Sequence, residues 1–146
     1  MTRYVSTLMI GLIAAAASFA NQDKQDKPAG DFGVRMMECA KICSSCQLEC
    51  DACFKHCLSL TGESQKEHQK TAQLCVDCAE CCKACATLCA RESVLSRHML
   101  ECCEKCCKQC ATACEKFESD KHMAACAKAC RACEKECAEL LKEMGK

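Results

Sequence analysis

Hydrophobic and polar positions alternate along this chain at the three- and four-residue steps of amphipathic helices, and cysteine occupies most of the inward positions. In the first such segment, cysteines recur at steps of four, three, four, three and four residues between Cys39 and Cys57. Residues three and four apart lie on one face of a helix, where a bundle normally carries leucine or isoleucine. The pattern therefore predicts a helix whose buried face consists of sulfur.

The rest of the chain repeats this design. All 22 cysteines fall into four clusters of six, six, six and four residues. The clusters are Cys39, Cys43, Cys46, Cys50, Cys53 and Cys57; Cys75, Cys78, Cys81, Cys82, Cys85 and Cys89; Cys102, Cys103, Cys106, Cys107, Cys110 and Cys114; and Cys126, Cys130, Cys133 and Cys137. Short connections between helices make each helix antiparallel to the one before. The predicted fold is all-α, an antiparallel up-down-up-down four-helix bundle with a cysteine-lined core.

Turn and capping signals give the expected helix bounds. The predicted helices run from Val34 or Met36 to Leu60, from within residues 63–73 to Arg91, from a Ser93 or Ser96 cap to Phe117 or Glu118, and from Lys121 to Met144. The expected domain organisation is a signal peptide over residues 1–20, a flexible polar leader over residues 21–33 and a metal-binding bundle over residues 34–146.

The signal-peptide prediction depends on Arg3, an apolar run from Val5 to Ala17 and small residues before position 21. The apolar run is short for a membrane span, although an uncleaved membrane anchor is the alternative. We therefore expect an exported protein, either periplasmic or extracellular.

Charge and composition exclude several classes of protein. Lysine plus arginine equals aspartate plus glutamate at 20 each, and aromatic residues make up 3% of the chain, so no nucleic-acid partner is expected. No arrangement of cysteine, histidine and carboxylate requires a catalytic interpretation, and the chain is not predicted to be an enzyme.

The cysteines are the candidate ligands, and soft thiolates favour copper(I). One monovalent ion per thiolate leaves a neutral core, and sulfurs that each bridge two ions give on the order of 20 copper ions. Iron–sulfur clusters are disfavoured because the only proline, Pro28, is far from any cysteine. Two alternatives stay open: a metallothionein-like zinc or cadmium buffer for detoxification, and an exported helical structural protein held by disulfides.

Residues 36–146 resemble the cysteine-rich four-helix bundle copper storage proteins of bacteria. The local similarity is strongest over residues 122–137, HMAACAKACRACEKEC, which are similar to the last helix of that family. The resemblance implies multiple Cu(I) ions bound inside the bundle. The candidate ligands, named from the residues themselves, are all 22 cysteines. Expected partners are copper ions and a copper-requiring enzyme or chaperone, and the chain is a candidate homo-oligomer.

Methionine and histidine collect at the ends of the predicted bundle. The candidate ligands for copper uptake are Met36, Met99, His98, Met144, Met123 and His122. Thioethers bind copper(I) without deprotonation. We expect uptake at the end that carries Met36, Met99 and Met144, whereas His68, in a polar stretch, is expected to be solvated.

Overall fold

The computed structural model describes residues 31–145, and within them the chain forms four long helices. They are α1 (Asp31–Ser59), α2 (Gly62–Ala90), α3 (Ser96–Cys114) and α4 (Lys121–Met144), with a 3₁₀ turn at Glu115–Phe117. The four predicted helices are confirmed, and α1 begins a few residues earlier than expected. The predicted signal peptide lies outside the described residues.

The sulfur contacts show that neighbouring helices are antiparallel. Between α1 and α4, Cys43 meets Cys133 at 3.5 Å and Cys50 meets Cys126 at 3.7 Å between Sγ atoms. The residue numbers of the contacting cysteines rise along α1 as they fall along α4. The same holds for α2 and α3, where Cys78 contacts Cys107 and Cys82 contacts Cys103, both at 3.7 Å. Each helix packs against its two neighbours around one central column.

Two local features set where the helices begin and end. The Asp120 carboxylate accepts hydrogen bonds from the backbone N–H groups of His122 and Met123 at 2.8 and 3.3 Å, which caps α4. At the end of α2, the N–H of Ser93 donates to the carbonyl of Leu88, and the N–H of Glu92 donates to that of Cys89. This pair of bonds is a Schellman motif, and Glu92 adopts the positive φ of 47° that the motif requires.

The interior is filled by small side chains, and only its ends carry large ones. The largest fully buried side chains are Met36, Leu100, Met123 and Leu140, followed by cysteines. Buried alanines such as Ala79 and Ala111 let the helices approach closely. No helix within residues 31–145 is long and apolar enough to cross a membrane.

Candidate metal centre

Nineteen of the cysteines are buried, and none of these is more than 3% exposed. They are Cys39, Cys43, Cys46, Cys50, Cys53, Cys57, Cys75, Cys78, Cys82, Cys85, Cys89, Cys103, Cys107, Cys110, Cys114, Cys126, Cys130, Cys133 and Cys137. The spacing of three and four residues keeps each row on the inner face of its helix. The four rows meet along the axis of the bundle and form what we call the sulfur column.

Sulfur atoms follow one another along this column at contact distance. The Sγ atom of Cys130 lies 3.7 Å from that of Cys46, 3.6 Å from that of Cys50 and 3.9 Å from that of Cys78. Three sulfurs bound at about 2.3 Å to one metal ion lie about 4 Å apart. Much of the column is therefore already spaced for metal binding.

Thiols of the column form overlapping groups of four. One group is Cys46, Cys50, Cys78 and Cys130, and another is Cys46, Cys78, Cys82 and Cys107, with all Sγ atoms in each group within 4.8 Å of one another. Because Cys46 and Cys78 belong to both, separate four-thiolate zinc sites cannot occupy both groups without sharing sulfur. The arrangement suits ions that accept bridging thiolates and few ligands each.

Burial and mutual contact alter the acidity of the thiols. Burial raises the pKa of Cys57, at one end of the column, to about 12. Within the column, a hydrogen bond with Cys107 lowers the pKa of Cys46, whereas a hydrogen bond with Cys110 raises that of Cys50. Neighbouring thiolates repel one another, so simultaneous ionisation of the column requires cations bound among them.

The end of the bundle that carries Met36 is closed by apolar side chains. Met36 precedes Cys39 by one turn, Leu100 precedes Cys103, and Leu140 follows Cys137, and these three side chains are at most 1% exposed. Met99 and Met144 are partly buried and pack against the core, and His98 is exposed. The Arg35 guanidinium lies 2.9 Å from Glu136 and 3.3 Å from Glu143, which ties α1 to α4 across this end.

The opposite end places a thioether directly on the column. The Met123 Sδ atom lies 3.4 Å from the Cys53 thiol. One turn outward, the rings of His56 and His122 stack with centroids 4.4 Å apart, and His56 Nε2 lies 2.6 Å from the Asp120 carboxylate. Burial by itself would raise the pKa of the Asp120 carboxyl group. Hydrogen bonds from His56 and from two backbone N–H groups outweigh this effect and lower the pKa.

His68 departs from the sequence prediction. It was expected to be solvated, but it is only 7% exposed, its ring stacks on Phe117 at 3.8 Å, and Nδ1 lies 2.7 Å from the Ser64 carbonyl oxygen. The expectation is wrong because position 68 lies seven residues, or two helical turns, before Cys75 and therefore shares its buried face, whereas the polar residues around it face outward.

Three cysteines lie outside the sulfur column. Cys81 and Cys106 are partly exposed and Cys102 is exposed, although all were expected inside the bundle. Each is the first residue of a Cys-Cys pair whose second residue is buried. Adjacent residues of a helix do not share a face, so the three pairs in the sequence already indicated that one member of each leaves the core.

Every cysteine of the chain is a free thiol in the structure. The shortest of the Sγ–Sγ contacts is 3.1 Å, between Cys81 and Cys106, well beyond the length of about 2.05 Å of a disulfide bond. The four helices are therefore packed together without disulfide bonds. This argues against the alternative of a structural protein held by disulfides.

Comparison with known proteins agrees with this geometry. The copper storage protein family matches residues 33–142. A cytosolic copper storage protein from Streptomyces lividans, solved with five coppers, is 31% identical, with a TM-score of 0.72 over 76% of this chain and 95% of that chain. The S. lividans protein loaded with 10 copper equivalents matches at 31% identity and a TM-score of 0.72, covering 81% of this chain and 94% of that chain.

A Cu(I)-bound copper storage protein is also similar, at 27% identity and a TM-score of 0.69 over 73% of this chain and 98% of that chain. Among curated proteins, no relative matches the sequence.

One prediction is corrected by these relatives. The apolar residues near the amino terminus predicted an exported protein, but the S. lividans relative is described as cytosolic. The prediction of export is therefore wrong.

From its sulfur-lined bundle and the family match that spans most of its length, this chain belongs to the copper storage protein family.

Proposed function

We propose that this protein stores copper in the cytosol by holding many Cu(I) ions among the thiolates of the sulfur column, without catalysing a reaction. The observation that carries the proposal is the sharing of Cys46 and Cys78 between overlapping groups of four thiols. Shared sulfurs allow neighbouring ions to be bridged, so the column fills as one continuous cluster. Soft thiolates are preferred ligands of copper(I).

Charge supports copper(I) over zinc in this setting. The column is buried, so any net charge left in it is costly. One monovalent ion per bridging thiolate leaves the interior neutral, whereas zinc tetrathiolate sites carry a net negative charge. Each thiol releases its proton on binding, and copper stays in the reduced state throughout.

We further propose that copper passes to and from the protein by ligand exchange with a chaperone or a copper-requiring enzyme. The family resemblance and the thiol chemistry support such a partner, since exchange between thiolates needs no change in oxidation state. The methionines at the two ends of the column are the proposed ligands of this transfer: Met36, Met99, Met144 and Met123.

Metal competition tests the proposal against a zinc or cadmium buffer. Fully reduced protein is loaded with zinc, then titrated anaerobically with Cu(I) while released zinc is measured with a colorimetric chelator. We expect Cu(I) to displace all bound zinc and to continue binding after the last zinc has left. Retention of zinc at the four-thiol groups in the presence of excess Cu(I) would instead support zinc buffering.

A further inference from the structure

Cys81, Cys102 and Cys106 form a second group of thiols, on the outside of the bundle between α2 and α3; we call it the outer trio. The Cys81 Sγ atom lies 3.7 Å from that of Cys102 and 3.1 Å from that of Cys106. Cys102 and Cys106 are four residues apart on α3, so they are stacked on one face of that helix. Three thiols from two helices thus converge at the surface.

The outer trio mirrors a trio inside the column. The buried partners in the same three Cys-Cys pairs are Cys82, Cys103 and Cys107, which we call the inner trio. The Cys82 Sγ atom lies 3.7 Å from that of Cys103 and 3.6 Å from that of Cys107, and the Cys103 and Cys107 Sγ atoms are 3.9 Å apart. On each side of the α2–α3 contact, one cysteine of α2 therefore lies within 3.7 Å of two cysteines of α3.

We propose that the outer trio is a separate binding site for a single Cu(I) ion in three-coordinate thiolate geometry, and that this ion exchanges with external thiols faster than the ions of the column. The proposal rests on the proposed storage of Cu(I), because it concerns the same metal. Three sulfurs around one ion require spacings of about 4 Å. The 3.7 Å between Cys81 and Cys102 is close to this value, and the 3.1 Å between Cys81 and Cys106 would widen by about 1 Å when the ion binds.

Exposure to solvent explains why a copper ion at the outer trio would exchange faster than the ions of the column. One Cu(I) ion with three thiolates carries a net charge of about −2, which water can solvate at the surface but which would be costly in the interior. An incoming thiolate can also reach an ion here without parting the helices, since Cys102 is exposed. Exchange replaces one copper–sulfur bond with another: the displaced cysteine takes up a proton from water, and copper stays Cu(I).

Two variants test the proposal. The first is C81S/C102S/C106S, and the matched control is C82S/C103S/C107S, which removes the same number of thiols from the inner side of the same contact. Copper-saturated proteins are mixed with excess chelator and copper release is followed over time. We expect wild type to show a fast phase of about one ion per chain. We expect C81S/C102S/C106S to lose that phase and one ion of capacity, and the control to keep the phase.

Alkylation of the wild-type protein gives a second readout that does not depend on either variant folding. Protein is treated briefly with iodoacetamide and the labelled cysteines are mapped by mass spectrometry. Cys81, Cys102 and Cys106 should be labelled first in metal-free protein, protected at copper saturation, and the first to lose protection as chelator is added.

Equal labelling of the outer trio in metal-free and saturated protein would overturn the proposal, as would an unchanged fast phase in C81S/C102S/C106S. Neither result would affect storage in the column, because total copper bound is measured in the same samples. A protein that bound few ions at all would instead contradict the proposed function itself.

Discussion

The Sδ atom of Met123 lies 3.4 Å from the Sγ atom of Cys53, so a thioether extends the sulfur column at one end of the bundle. Met123 is fully buried, yet it follows His122, which is exposed and stacks on His56. A neutral sulfur ligand is therefore buried directly beside a pair of more exposed imidazoles at this end of the bundle. Such an order of ligands suits an ion that moves from nitrogen donors to thioether to thiolates.

This arrangement leads to a prediction about copper uptake. Entrance at the Met36 end, expected from the sequence, stays an untested prediction, but that end carries buried Leu100 and Leu140, which offer no ligand. For this reason we expect M123L/H122A to slow Cu(I) loading several-fold more than M36L/M99L/M144L does. Leucine replaces methionine in both variants because it keeps the packing volume and removes only the sulfur. Stopped-flow loading from a Cu(I) chelator complex measures the rates.

Met37 provides the control, because it is an exposed methionine near the first end, and M37L should load as wild type does. If M36L/M99L/M144L is the slower variant, copper enters at the end predicted from the sequence.

A second prediction concerns stability. Apart from the methionines and leucines at its ends, the column is filled by thiols and alanines, which bury less apolar surface than leucine does. Cu(I) binds the ordered column more tightly than it binds the scattered thiols of the unfolded chain, so it stabilises the folded state by mass action. We expect helical circular dichroism without metal and an increase in Tm of about 15 °C or more on saturation. Equal Tm values for the two forms would contradict this.

Alkaline pH should separate the metal-free form from the loaded form. The pKa of Cys57 is raised to about 12 by burial. A thiol whose pKa is higher in the folded state contributes stability that is complete below its unfolded pKa, about 8.5, and is lost as pH rises toward the folded value. We therefore expect the Tm of metal-free protein to fall from about pH 9 upward.

Copper-loaded protein should show no such decline over the same window, since its thiols have already lost their protons to the metal. C57S, which has no thiol at that position, should show a shallower decline in the metal-free form. A Tm of metal-free protein that stays constant to pH 10.5 would refute the assignment of raised thiol pKa values.

Asp120 provides a local test of the fold. Its carboxylate caps α4 through the N–H groups of His122 and Met123. D120A should lower the free energy of unfolding by about 1 kcal/mol in urea denaturation of the metal-free protein. D120N is the control, because asparagine is an equally good cap, and it should recover most of the loss. A D120N variant as unstable as D120A would assign the effect to the contact with His56 instead.

The sequence predicted most of the fold because the cysteine spacing marks the buried face of every helix. It also predicted the start of α4 at Lys121, since aspartate before a helix is a strong capping signal. The outer trio was not predicted. The three Cys-Cys pairs show that one member of each must leave the core, but only the register of α2 against α3 brings Cys81 to Cys102 and Cys106.

The contacts at the bundle ends could not be predicted for the same reason. The stack of His68 on Phe117 and the approach of His56 to Asp120 join different helices. Helix periodicity fixes the face of one helix at a time, whereas these contacts depend on how far one helix slides along another.

The stoichiometry of Cu(I) binding tests the central claim most directly. Fully reduced protein is titrated anaerobically with Cu(I) against a competing chromophoric chelator, and its free thiols are counted before and after. Storage in the sulfur column predicts saturation near the number of cysteines, on the order of 20 ions per chain, with nearly all thiols titratable before loading and none at saturation. Saturation at only a few ions, or a large fraction of thiols already oxidised in carefully reduced protein, would contradict the account.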